Sequence, residues 1–356
     1  MPPRCAALAV PGDISTKTGG YLYDARLMAA LSGAGWNMRL IRLPDGFPHP
    51  DAAERAEAQT ALAGLPPDCP VIVDGLAYGA MDTGRLRAVA APLVALVHHP
   101  LALETGLAPE VATALVERER DNLVLARHIL VPSPHTARVL KADYGVPGDK
   151  LTVVEPGVVR PALTAATKAE PPLILSVGIQ AARKGHDVFL RSLAHLSDLE
   201  WQAVIVGRVH DAAVAHALAE LRDALGLTDR VRLAGLVGDV ELQDLYRAAR
   251  VFALATRYEG YGMVFAEALV HGLPIVTCRV GAVPDTVPEG AGILVEAEDA
   301  CGFADALRRV LSVTDTRQSM ASASSQAGQK LPDWAMQAQR VGGVLKGLLS
   351  GESGSP

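Results

Sequence analysis

The sequence predicts an α/β protein with two doubly wound domains, each built on a parallel sheet. Three observations carry that prediction. Short β-type apolar runs alternate with helical patterns along most of the 356 residues, the signature of β-α-β units. The runs fall into two sets. Between them lies "VVRPALTAATKAEPP", rich in Pro, Ala and Thr and without apolar period, as an interdomain linker would be.

In the first set, strands are expected at residues 5–10, 37–43, 71–74, 93–97, 128–131 and 151–154. The opening run is stopped by Pro11-Gly12, and the fourth ends at His98-His99, where Pro100 blocks continuation. The second set falls at 173–177, 201–206, 231–234, 251–254, 275–278 and 292–295. After Val313 the pattern turns helical and ends in "PDWAMQAQRVGGVLKGLL", followed by the low-complexity tail "SGESGSP". Expected domains are 1–165, 166–330 and a terminal helix with flexible tail over 331–356.

Hydrophobic residues make up 49% and charged ones 20% of the chain, ample material for two cores. A net charge of -6 gives no general attraction to phosphate backbones, so nucleic acid is excluded as a partner. Cys5, Cys69, Cys278 and Cys301 show no C-x-x-C spacing and read as reduced core residues of a cytoplasmic protein. The apolar start is too short for a signal peptide, and no later run reaches membrane-spanning length. Any membrane contact is expected to be peripheral, at the inner face.

In doubly wound sheets, ligands bind beyond the carboxyl ends of the strands. The unusual residues follow strands here. Gly19 and Gly20 precede a helix, where backbone amides could approach an anion or sugar; the alternative is a tight packing turn. Of His98 and His99, one could donate to a substrate oxygen or shuttle a proton, or both could be structural. A metal there would need further ligands that the sequence does not obviously supply. Arg183 and Lys184 sit before Gly185 and a helix, as a diphosphate site would require, or as a solvated basic turn.

The stretch "RYEGYGMVFAEAL" is the most informative. A helix is expected over residues 263–270, apolar on nearly every side, with Glu267 its only ionisable group. Gly260 and Gly262 would let the amides around Met263 and Val264 turn toward a phosphate. Glu267 would then suit a neutral diol such as ribose, and Glu259 the hydroxyls of a neighbouring sugar. That pattern describes a sugar nucleotide. The alternative is a surface Glu259, with Glu267 paired to an arginine such as Arg279.

This combination resembles the family-4 retaining glycosyltransferases of the GT-B fold. The resemblance covers most of the chain and is strongest from Val131 to about Val313. Its most specific element is E-x7-E, here Glu259 and Glu267. "VPSPHTARVL", "LTVVEPGV", "SVG...RKGHDVFLRSL", "GLTDRVRLAGLVGDVELQDLYRAARVF" and "HGLPIVTCRVGAVPDTVPEGAGILV" also match, in order. It implies two Rossmann-like domains facing each other across a cleft, with the Trp334 helix crossing back to the first.

By position, the family would have Glu267 hold the ribose diol and Glu259 contact the donor sugar. Gly262, Met263, Val264 and Lys184, helped by Arg183, would bind the diphosphate. Gly19 and Gly20 would lie near donor phosphate and acceptor, and His98, rather than His99, near the reacting sugar. The sequence departs from many members at Ile179, where they carry an arginine. The implied activity is retaining transfer of a hexose from a UDP- or GDP-linked donor to a hydroxyl on an acceptor sugar, lipid or small molecule. No cofactor is expected. No D-x-D pair occurs, so no metal site is expected either. A sugar-nucleotide epimerase and a non-catalytic nucleotide-sugar-binding subunit are the alternatives.

Overall fold

Strands paired in parallel and covered by helices on both faces read as continuous apolar runs, and those runs become the strands. A computed structural model describes residues 4–104, 106–161 and 167–350. The expected domain boundary between residues 165 and 166, and the tail over 351–356, lie outside the described residues. Two compact units emerge: Met1–Gly157 with Pro332–Pro356, and Val158–Leu331.

The first unit contains β1 (Arg4–Pro11), β2 (Trp36–Leu43), β3 (Val71–Asp74), β4 (Leu93–Leu96), β5 (His128–Val131) and β6 (Leu151–Val153). The second contains β7 (Leu173–Val177), β8 (Gln202–Val206), β9 (Val231–Gly235), β10 (Ala249–Leu254), β11 (Ile275–Cys278) and β12 (Gly292–Val295). Each expected strand is present, with ends differing by a residue or two.

The first sheet runs β2-β1-β3-β4-β5-β6 and the second β12-β11-β10-β7-β8-β9, with parallel neighbours throughout. Strand order reverses between β1 and β3 in the first sheet and between β7 and β10 in the second. These switch points part the connecting loops and open a crevice at the strands' carboxyl ends.

The terminal helix Trp334–Ser350 belongs to the first unit, where it buries Ala338, Val341 and Leu345. It packs on the helix Gly19–Gly33. Tyr23 meets Trp334 edge to face at 5.2 Å. No helix among the described residues is long and apolar enough to cross a membrane. The cysteines are free. Cys69 and Cys278 are buried and Cys5 half-buried, but Cys301 is exposed, contrary to the core expectation, because it starts the outer face of the helix Ala300–Ser312.

Candidate active site

In the second unit, the loops after β7 and β10 meet at the switch point. After β7 the chain turns at Gly178 and makes a short 3-10 turn, Ala182–Lys184. Gly185 follows with φ +61°, and a Cβ there would lie 1.8 Å from the Ala255 carbonyl oxygen. Only glycine allows this approach. It lays Lys184 beside the end of β10. His186, pushed down to about 4 first by burial, is neutral and donates from Nε2 to the Gly178 carbonyl (3.1 Å), holding the turn.

Lys184 Nζ reaches Glu259 Oε1 at 2.6 Å. Thr256 Oγ1 donates to the same oxygen at 3.0 Å. Glu259 is 5% exposed and Lys184 8%. Burial pushes the Glu259 carboxyl up, but the Lys184 and Arg183 charges with the hydrogen bonds from Lys184 and Thr256 outweigh it and hold it below its ordinary value. Gly281, at φ +50°, brings the loop after β11 against the Glu259 backbone, and the Ala282 amide donates to the Glu259 carbonyl (2.9 Å). Arg257 braces the same corner through two bonds to Asp187, at 2.9 and 3.0 Å.

Gly262 adopts φ +86° and starts the helix Met263–Val270 without a side-chain cap. Phe265 N–H bonds back to Gly262 (2.9 Å). Neither the Met263 nor the Val264 amide takes a backbone acceptor among the described residues. Glu267, one turn on, is half-buried and accepts a hydrogen bond from Tyr246 at 2.9 Å. The Tyr246 ring is buried and stacks on His271 at 4.8 Å between centroids. The alternative of a surface Glu259 and a Glu267–Arg279 pair therefore fails: the first is buried on a lysine, and Tyr246 holds the second.

At the first unit's carboxyl end, Gly19 and Gly20 form the first turn of the helix Gly19–Gly33, capped by Thr18. A Cβ on Gly20 would lie 3.4 Å from the His98 ring. The fold separates the two histidines. His98 Nε2 lies 2.9 Å from Asp24 and 3.5 Å from Asp74, both buried. His99 turns instead to Glu104, at 3.3 Å.

The two carboxylates are what sequence reading missed at this site. Asp74 had a signal, since it ends β3 as His98 follows β4; Asp24 had none beyond being an acid in an apolar helix. Ligand-type atoms of Asp24, Asp74 and His98 lie within 4.8 Å of one another. His98 Nε2 already bonds to Asp24 Oδ1, and the Leu76 amide donates to Asp74 Oδ1 at 2.8 Å.

Thus Lys184, Glu259, Gly262 and Glu267 gather in the second unit with Arg183 in electrostatic reach, and Gly19, Gly20 and His98 gather in the first. Gln180, next to Ile179, donates its backbone N–H to the Arg208 carbonyl (2.9 Å), which sets Arg208 next to that turn.

The family described as glycosyl transferases, group 1, matches residues 171–313, the stretch that holds the second-unit residues. A D-inositol 3-phosphate glycosyltransferase of Thermobifida fusca is 30% identical over 226 residues, 58% of this chain and 52% of that protein. Another, of Xylanimonas cellulosilytica, is 32% identical over 65% of this chain and 60% of its own length. The matches thus span little more than half of these curated relatives. Among solved structures, the sucrose-phosphate synthase of Thermosynechococcus elongatus superposes with a TM-score of 0.78 at 20% identity, covering 98% of this chain and all of that one. Anabaena HepE in complex with UDP-glucose gives 0.76 at 15% identity, covering 96% and 99%. These likenesses establish the fold. Residues 171–313, most of the second unit, thus match the group 1 glycosyl transferases, and the chain has the fold of solved GT-B glycosyltransferases.

Proposed function

We propose that this protein transfers a hexose from a UDP- or GDP-linked donor to a hydroxyl acceptor, with retention at the anomeric carbon and without a divalent metal. The observation that carries the reading is the unequal setting of the two glutamates around the Gly262 bend. Glu259 is buried on a cation and stays ionised. Glu267 has a neutral hydroxyl partner and keeps access to solvent, which suits a ribose diol. Between them, the Met263 and Val264 amides at a helix amino end form a cradle for phosphate.

Lys184 then serves two anions. It neutralises Glu259 and, with Arg183, offers N–H donors to the developing charge on the leaving diphosphate. Glu259 in return balances positive charge building at the anomeric carbon. A site so supplied with cations and amides needs no strong base, because the departing diphosphate can accept the acceptor's proton on the face where the new bond forms. His98 is assigned to a sugar oxygen, and Gly19 and Gly20 to the approach of phosphate and acceptor. HepE, solved with UDP-glucose, agrees with a nucleotide-sugar donor, and the relatives named D-inositol 3-phosphate glycosyltransferases agree with glycosyl transfer.

The test is a panel of UDP- and GDP-sugars with sugar, lipid and small-molecule acceptors, followed by nucleoside diphosphate release. Release that depends on acceptor and persists in chelator supports transfer. An interconverted donor without release would show an epimerase; saturable binding without turnover, a binding subunit; loss in chelator restored by magnesium would remove the metal-free mechanism.

A further inference from the structure

His98 shares a buried pocket with two acids. Asp24, on the helix Gly19–Gly33, is fully buried, and Asp74, at the end of β3, is 2% exposed. Both point an oxygen at one nitrogen, His98 Nε2, at 2.9 and 3.5 Å. Asp74 Oδ1 is satisfied by the Leu76 amide at 2.8 Å. Asp24 Oδ2 is buried and has no hydrogen-bond partner among the described residues.

Charge and hydrogen bonding set the same requirement. Two ionised carboxylates would leave the pocket net negative even beside an imidazolium, and one buried oxygen would lack a donor. Each defect is costly at such burial. A single proton held between the two acids removes both: the net charge becomes zero and the O–H supplies the missing donor.

We propose that Asp24, Asp74 and His98 form a neutral proton-sharing cluster of one carboxylate, one carboxyl group and one imidazolium. It commits Nε2–H of His98 to Asp24 and leaves Nδ1–H as the donor for a substrate oxygen. Asp24 and Asp74 are thus positioning residues acting through His98. Only the substrate-facing role of Nδ1 rests on the proposed transferase reading.

Proton affinities agree with this geometry. Burial first, then the Asp24 charge, pushes Asp74 up to about 7. Burial lowers the His98 affinity, but Asp24 and Asp74 more than restore it and leave it above the ordinary histidine value. Tyr23 also packs on the ring, edge-on at 5.1 Å, with its hydroxyl donated to the Val154 carbonyl (2.7 Å). His99, next in the chain, turns to Glu104. As pH rises, the cluster releases its protons as a coupled unit.

The test compares Asp74→Asn with Asp24→Asn by NMR of 15N-labelled histidine rings through a pH titration of the free protein. The side-chain amide that Asp74→Asn introduces would keep a neutral donor toward Asp24, so the His98 midpoint should move by less than about half a pH unit. Asp24→Asn removes the carboxylate and should lower it by more than about one unit. Infrared difference spectroscopy adds a readout that does not need the Asp24 variant to fold: a protonated-carboxyl C=O band present in the wild type and lost in Asp74→Asn, over and above the Glu119 carboxyl band that both share. Equal lowering by both variants, or absence of that band, would overturn the proposal. So would displacement of the His98 signals by stoichiometric zinc, reversed by chelator, which would make the trio a metal site. Ring titration needs no substrate, so failure of sugar transfer would leave this result standing, and failure of the cluster would leave nucleoside diphosphate release unaffected.

Discussion

Lys184→Met removes one charge from the most deeply buried ion pair near the Gly262 bend while keeping the side chain's apolar stem. At the observed 2.6 Å, an effective dielectric near 20 gives an attraction of roughly 6 kcal/mol before desolvation is subtracted. Removing one partner of such a pair costs about 3–5 kcal/mol, because the other charge remains buried and unpaired. Glu259 has an escape. By taking up a proton at pH 7 it gives up about 1.4 kcal/mol for each unit above its ordinary value, roughly 4 kcal/mol in all.

That escape caps the loss and makes it fall with pH. In the wild type the Glu259 carboxyl is held below its ordinary 4.5. Its contribution is complete above that value and is lost only as pH falls through the depressed one. Between about pH 7 and pH 5 the wild type is therefore flat with respect to this group, whereas the variant recovers about 1.4 kcal/mol per unit as the buried carboxyl protonates more easily. Urea unfolding of the wild type, Lys184→Met, Glu259→Gln and the double variant at several pH values measures this. The double variant should regain most of the loss, having no buried charge left. A Lys184→Met loss below about 1 kcal/mol, or one independent of pH, would refute the reasoning.

Three further outcomes are expected. Gly262→Ala puts a Cβ 2.5 Å from the Phe265 ring at φ +86°; a cost of about 1–3 kcal/mol and weaker nucleoside diphosphate binding should appear in thermal shift and calorimetry. Tyr246→Phe removes the donor to Glu267 and should cost about 1–2 kcal/mol in unfolding free energy; under the proposed ribose role of Glu267 it should weaken uridine and UDP alike. Glu119, pushed up to about 8 by burial, favours the fold only while protonated, so its contribution falls as pH rises from its ordinary value through the raised one. Glu119→Gln, neutral at every pH, should then be more stable than the wild type above about pH 8 and lose that advantage below about pH 5, as urea titrations would show.

Much of this was legible in the chain because parallel strands and glycine bends are local statements. "LILSV" becomes β7, buried along its whole length, and the helix expected after Gly262 spans Met263–Val270 as read. His98 and Lys184 stood out because they follow apolar runs. Their partners did not. Glu259 was read as facing a sugar and Lys184 as facing a phosphate, yet each first meets the other across 75 positions of sequence. Asp24 lies 74 positions from His98, in a helix whose pattern gives no reason for a buried acid.

The sequence by itself determined the alternation of strands and helices, the glycine bends and the chemical types available at the strands' carboxyl ends. Hydrophobic period and backbone conformation depend on neighbours a few residues apart, so they can be read along the chain. Which acid meets which cation was decided by tertiary structure alone. Sheet order puts β7 beside β10 and β1 beside β3, and burial in those crevices, where a charge persists only with a partner, turns separate residues into the Lys184–Glu259 pair and the cluster around His98.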